Sequence, residues 1–201
     1  MRSRAARALS PELLAERALA IIDADGLEAL TMRRLAADVG VKAPSLYNHV
    51  ANKDELIDGA LRVMRAEFRL PSPAPEHWKP LLVAIFIEYR RVLAAHPNMI
   101  PLAGRRLPGE SQSGLVYLTS QGFTTEESVE IWQSLLALTV GFSMFSSGQA
   151  DTDTRELPAP LHERAAHWRD ETFVLALVNL LAPYDPGAGD SPVAFRGEPV
   201  Q

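Results

Sequence analysis

The apolar residues of this 201-residue chain recur at intervals of three and four along most of its length, while alternating, β-branched runs are nearly absent. That spacing suits helices and leaves little from which to build a sheet, so the expected fold class is all-α. Ser10 followed by Pro11 supplies a cap and a first turn; Leu14, Ala18, Ile21 and Ile22 then share one face, and Gly26 ends the segment. Thr31 can cap a second, short helix with Met32, Leu35, Ala36 and Val39 inward, stopped by Gly40. A third short segment starts near Pro44 and turns Leu46 and Val50 inward. Asn52 with Glu55 forms a capping-box pattern for a fourth helix over 53–68, striped by Leu56, Ile57, Ala60, Leu61, Met64 and Phe68.

Beyond these four segments, the proline-rich LPSPAPEH (70–77) reads as a connection. The pattern predicts a helix over 78–95, buried along Leu82, Ile85, Phe86, Tyr89 and Leu93. An irregular stretch or single turn follows over 97–109, then a helix over about 110–121 closed by Gly122. Thr124 with Glu127 repeats the capping-box pattern and opens a long helix to about 147; 150–160 is a loop, and a last helix spans about 161–182 before Pro183. The expected division is a head at 1–69, a body at 70–183 and a poorly ordered tail at 184–201.

Composition narrows the function. The chain has no cysteine, which excludes disulfides, thiolate catalysis and cysteine-ligated metals. No apolar run reaches the roughly 18 residues of a membrane span, and the arginine-bearing start lacks the apolar stretch of a signal peptide, so a cytoplasmic protein without a membrane partner is expected. Net charge is −5, yet residues 1–53 hold eight Arg or Lys against six Asp or Glu, a net +2 that leaves −7 for the rest. A mildly basic head on an acidic body fits nucleic-acid contact through one end. There is no phosphate-binding glycine loop, GxSxG elbow or triad spacing. His162 and His167 suggest a zinc HExxH motif, but at i, i+5 they lie roughly 140° apart around a helix and cannot share one metal. Neither an enzyme nor a cofactor is expected.

The informative stretch is TMRRLAADVGVKAPSLYNHVANKDEL, residues 31–56. Two short helices around a glycine turn form a helix-turn-helix, in which the first braces and the second enters the major groove. Arg33 can grip a guanine edge or a phosphate, Lys42 and Ser45 offer donors, and Ala43 and Pro44 can pack on a thymine methyl. Tyr47 and His49 have tips suited to phosphate oxygens, Asn48 can pair with adenine, and Lys53 adds charge at a helix N-terminus. Each residue also has an ordinary structural reading: Tyr47 as half-buried core, His49 as a surface histidine, Arg33 and Arg34 as a solvated face.

GLEALTMRRLAADVGVKAPSLYNHVANKDEL resembles the N-terminal domain of the TetR family, in the threonine opening helix two, the RRLA core, the GV turn, the LY pair and the NKDEL start of helix four. HPNMIPLAGRRLP and GFTTEESVEIWQSLLALTVG resemble, more loosely, the body of that family's tetracycline-repressor branch. The resemblance implies a three-helix DNA-binding head on a larger helical body that binds a ligand and forms a homodimer. It implies double-stranded operator DNA as partner, met by Thr31, Arg33, Lys42 to Ser45, Tyr47, Asn48, His49 and Lys53, with repression released by an effector. Segments 135–145 and 173–182 are apolar nearly all round, which fits coverage by a second subunit. A ligand cavity is expected against Phe86, Tyr89, Met99, Tyr117, Trp132, Leu136 and Phe142, with Arg105 or Arg106 as polar anchor. The tetracycline-repressor branch binds its drug as a magnesium chelate through histidine and glutamate in segments matching 97–109 and 138–149. Neither residue type is present there, so a small, largely apolar organic effector without a metal is expected.

Overall fold

Three of the four helices of the head begin at a side chain that accepts a backbone N–H; the short third, preceded by Lys42, does not. In the computed structural model, which describes residues 9–105, 113–148 and 170–186, α1 spans Pro11–Asp25, and Ser10 Oγ accepts from the Leu13 N–H at 3.2 Å. Helix α2 (Met32–Asp38) is capped by Thr31, whose Oγ1 accepts from the Arg34 N–H at 3.1 Å. Helix α3 is a single turn, Ala43–Leu46, and α4 spans Lys53–Arg65. Asn52 Oδ1 caps α4 through the Glu55 N–H at 2.9 Å. The expected return bond goes one residue further back, because Glu55 Oε2 accepts from the Ala51 N–H at 2.6 Å. Helix α4 ends at Arg65, three residues short of the expected stop, so Phe68 lies beyond it.

The chain then runs through the proline-rich connection into α5 (Trp78–Ala95), a 3-10 turn at Pro97–Leu102, α6 (Ser113–Ser120), α7 (Thr125–Ser146) and α8 (Asp170–Leu181). Thr124 and Glu127 close a full capping box on α7, at 2.8 Å and 3.2 Å. The described residues are helical, with no strand among them. The expected loop at 150–160, the first half of the expected last helix, and the His162–His167 pair lie outside the described residues, as do Arg106 and the tail from 187.

The chain divides into two units: one made of the residues to Arg69 with Arg91–Leu107, the other of Leu70–Arg90 with the residues from Pro108. This differs from the simple cut at 69/70, because the last turn of α5 and the 3-10 turn pack with the head. Polar contacts explain it. His96 Nδ1 lies 2.8 Å from Asp23 Oδ2, Asn98 Nδ2 donates to the Ile22 and Asp23 carbonyls, and an Arg65 N–H donates to the Arg105 carbonyl at 2.8 Å. Arg105 is held by Asp58, Nε to Oδ1 at 2.7 Å.

The first unit is built on α1 crossing α4, with Leu14, Ile22, Leu35, Leu46, Leu56 and Leu61 fully buried. Side chains of that size stabilise by roughly 1.5–3 kcal/mol each when buried. Arg17 on α1 holds Asp38 at the end of α2 through two bonds, Nε to Oδ2 at 2.6 Å and Nη2 to Oδ1 at 2.7 Å. Hydrogen bonding to Arg17 holds the Asp38 carboxyl below its ordinary range, against the opposing effect of its burial. A carboxyl depressed in the fold contributes stability above its unfolded value and loses it as pH falls through the folded one. Asp38→Asn is therefore expected to cost up to about 1 kcal/mol at pH 7, a modest figure because Arg17 is 41% exposed to screening solvent. Denaturant melts should show that deficit shrinking to nothing as pH drops below the ordinary carboxylate range of about 4.

The second unit packs α5, α6, α7 and α8 around Phe86, Leu118, Ile131, Leu135, Phe173 and Leu177. One composition-based expectation needs correcting: the 22-residue α7 is long and apolar enough to cross a bilayer. One face of it, with Ile131, Leu135, Thr139 and Phe142, is buried inside this unit. On α8 the inward face is Phe173, Leu177 and Leu181, while Leu175 and Val178 stand 59% and 49% exposed. Leu177 is wholly within the core of its own unit.

Candidate DNA interface

The turn between α2 and α3 fixes how the head presents its polar residues. Gly40 sits at φ +76°, where a side chain is strained. The Gly40 N–H donates to the Ala37 carbonyl and the Val41 N–H to the Ala36 carbonyl, at 3.3 Å and 2.9 Å, which closes α2 and redirects the chain within two residues. Leu35 and Ala36 on α2, with Leu46 and Val50 around α3, are buried beneath that turn and set the angle between the helices.

The other faces of these helices are open. Arg33, Lys42, Pro44, Tyr47 and Asn48 are exposed, with Tyr47 at 56%, and Ala43, Ser45 and His49 are half-buried beside them. The two adjacent arginines part company here. Arg34 is paired with Asp25, whereas Arg33 has no ion-pair partner among the described residues, and neither has Lys42. Thr31 is exposed but its Oγ1 is engaged as the α2 cap. Lys53 is half-buried and its Nζ lies 3.5 Å from the Leu27 carbonyl, which holds that ammonium against the head. The result is one surface carrying uncommitted cations, a phenol, an amide and an imidazole on a rigid three-helix base.

Of the expected ligand wall, the second unit holds Phe86, Tyr89, Tyr117, Trp132, Leu136 and Phe142. The Phe86 ring meets Trp132 edge-on at 5.2 Å and Tyr89 at 6.4 Å. Phe86 and Phe142 are buried, and Tyr89, Trp132 and Leu136 pack against the same core. Burial pushes the Tyr117 phenol up, so it stays protonated and able to donate. Met99 and Arg105 belong to the first unit: Met99 is fully buried there, and Arg105 is committed to Asp58. Sequence reading missed Arg90, which the second unit stacks on Phe142 and Phe173. Arg90 does follow the core residue Phe86 at i+4 on one helix face, but next to Tyr89 that spacing alone reads as a helix edge.

Residues 14–60 match the family described as bacterial regulatory proteins, tetR family. A transcriptional regulator of Saccharopolyspora erythraea, described as HTH-type, is 35% identical over 60% of this chain; the aligned stretch is 54% of that protein, so the chain spans about half its length. The class D tetracycline repressor protein of Escherichia coli is 30% identical over 79% of this chain and 72% of its own length. The chain belongs to the TetR family. Among solved structures, the TetR family protein ActR of Streptomyces coelicolor, in complex with (S)-DNPA, is similar at a TM-score of 0.72, with 27% identity over 88% of this chain and 96% of that one. In this TetR-family chain the matched stretch contains all of the exposed polar face of α2 and α3.

Proposed function

We propose that this TetR-family chain is a sequence-specific DNA-binding transcriptional regulator, a cytoplasmic homodimer that represses until a small, largely apolar organic effector releases it from its operator. The observation that carries the reading is the uncommitted face of the head. Arg33, Lys42 and Tyr47 are exposed, and neither cation has an ion-pair partner among the described residues, on a helix-turn-helix whose inner face buries Leu35, Ala36, Leu46 and Val50. Phosphate contacts from such a face position the protein, and one or two base contacts specify the site. The relative with (S)-DNPA bound supports an effector in the body, and the exposed Leu175 and Val178 on α8 support a second subunit.

Nuclease footprinting on genomic DNA upstream of the gene tests this reading. A protected near-palindrome with half-sites roughly 34–36 Å apart is the expected result for two symmetric heads. Protection indistinguishable from that of unrelated DNA would refute it, and favour a helical ligand-binding protein with an idle head. An effector must bind the DNA-incompetent arrangement more tightly, and operator DNA must then weaken effector binding by the same factor.

A further inference from the structure

Arg90 is the one arginine that the second unit draws into its aromatic core among the described residues. Its guanidinium carbon lies 4.9 Å from the centroid of the Phe142 ring and 5.3 Å from that of Phe173, and the side chain is only 15% exposed. Guanidinium stays charged in proteins, so burial cannot be relieved by losing the proton. Stacking on two rings offsets part of the desolvation, and an ion pair would offset more. The partner present is weak for that purpose: Nη1 pairs with Asp170, whose side chain is 80% exposed at the first turn of α8. Nε is sealed from solvent and donates to nothing. Ser143 Oγ, buried next to Phe142 in sequence, also lacks a partner. Buried donors are nearly always satisfied, and those that are not call for a ligand or another explanation.

We propose that Arg90 anchors the acidic group of an aromatic effector, its Nε edge taking a carboxylate while Phe86, Tyr89, Trp132, Phe142 and Phe173 receive the ring system. The proposal rests on the effector reading above and sharpens it: the ligand is an aromatic acid rather than a wholly apolar molecule, and its anchor is Arg90 rather than Arg105. A planar carboxylate fits the guanidinium fork in a two-bond geometry that an amide cannot match in charge. Asp170 then competes with the ligand for the same cation.

The test uses calorimetry on the full chain with benzoate, 2-naphthoate and anthracene-2-carboxylate, each beside its carboxamide. At least one carboxylate should bind about tenfold or more tighter than its amide, the scale of one charge-assisted hydrogen bond. Arg90→Gln should erase that preference. Asp170→Asn, on an exposed side chain, should tighten the carboxylate about threefold or more and leave the amide unchanged, which a purely structural arginine would not produce. If Arg90→Gln fails to fold, the Asp170→Asn comparison decides alone. Equal affinity for acid and amide, no binding of any of the three acids at millimolar concentration, or an unchanged preference in Arg90→Gln overturns the proposal. Operator release is read separately. A carboxylate that binds through Arg90 without changing DNA affinity supports this site and defeats effector control. A compound that releases DNA equally from wild type and Arg90→Gln defeats this site and leaves effector control standing.

Discussion

Replacing Leu175 and Val178 together by glutamate is expected to yield a folded monomer with operator affinity about a hundredfold or more below that of the wild type. The two side chains stand one turn apart on the open side of α8, with the inward Phe173, Leu177 and Leu181 untouched, so the core of the unit should survive. Two glutamates at the centre of an apolar subunit contact would face desolvation without partners. Loss of the second subunit matters because tethering two heads turns the second binding event into an intramolecular one, worth about 10²–10⁴ in affinity. Leu177→Glu makes the contrast. That side chain is fully buried within its own unit, so the variant is expected to lose the fold rather than only the partner. Sedimentation with circular dichroism separates the two: dimers persisting in the Leu175→Glu, Val178→Glu protein would refute the placement of the interface.

Gly114→Ala is expected to destabilise the second unit by about 1–3 kcal/mol or more, against the direction of helix propensity. Alanine should favour an exposed helical position over glycine by about 1 kcal/mol. Here, however, a Cβ would stand 2.2 Å from the Trp132 ring, because the indole lies directly on the Gly114 backbone. Trp132 cannot retreat freely, since its ring is also packed edge-on against Phe86. Overpacking of a filled core costs about 1–3 kcal/mol, so the steric cost exceeds the propensity gain. Thermal melts with tryptophan emission should show a lower midpoint and altered Trp132 packing. A melt at or above the wild-type midpoint would mean that α6 and α7 do not approach so closely.

Much of the head was legible in the sequence because its signals are local. Ser10 and Thr31 in the head, like the Thr124–Glu127 pair on α7 of the second unit, are caps recognisable from side-chain chemistry within four residues, and all accept the expected N–H. The helix expected over 78–95 is found with those ends, Trp78–Ala95. Periodicity shows which face of a helix is buried but not what covers it. The segment 173–182 reads as apolar nearly all round, yet its own core covers Leu177 and leaves Leu175 and Val178 open. Met99 and Arg105 read as part of the body when the polar contacts of His96 and Asn98 fasten their segment to α1. Arg90 was missed for a related reason. A charge one residue after Tyr89 reads as a helix edge until Phe142 and Phe173, some fifty and eighty residues away in sequence, are seen stacked on it.

The α2–α3 face is expected to be what grips DNA. Fluorescence anisotropy on the footprinted duplex, repeated over a range of salt, compares wild type with Tyr47→Ala, Lys42→Ala and Arg33→Ala. Losing one phosphate contact lowers the slope of log affinity against log salt by about 0.9. Tyr47 and Lys42 should weaken binding to cognate and unrelated duplexes about equally, and the slope should fall only for Lys42, whose charge displaces counterions. Arg33→Ala should cost about 1–3 kcal/mol on the cognate duplex and blur its advantage over a single-base variant, if that residue reads a base. Undiminished affinity and an unchanged salt slope in all three proteins would contradict the assignment of this face to DNA.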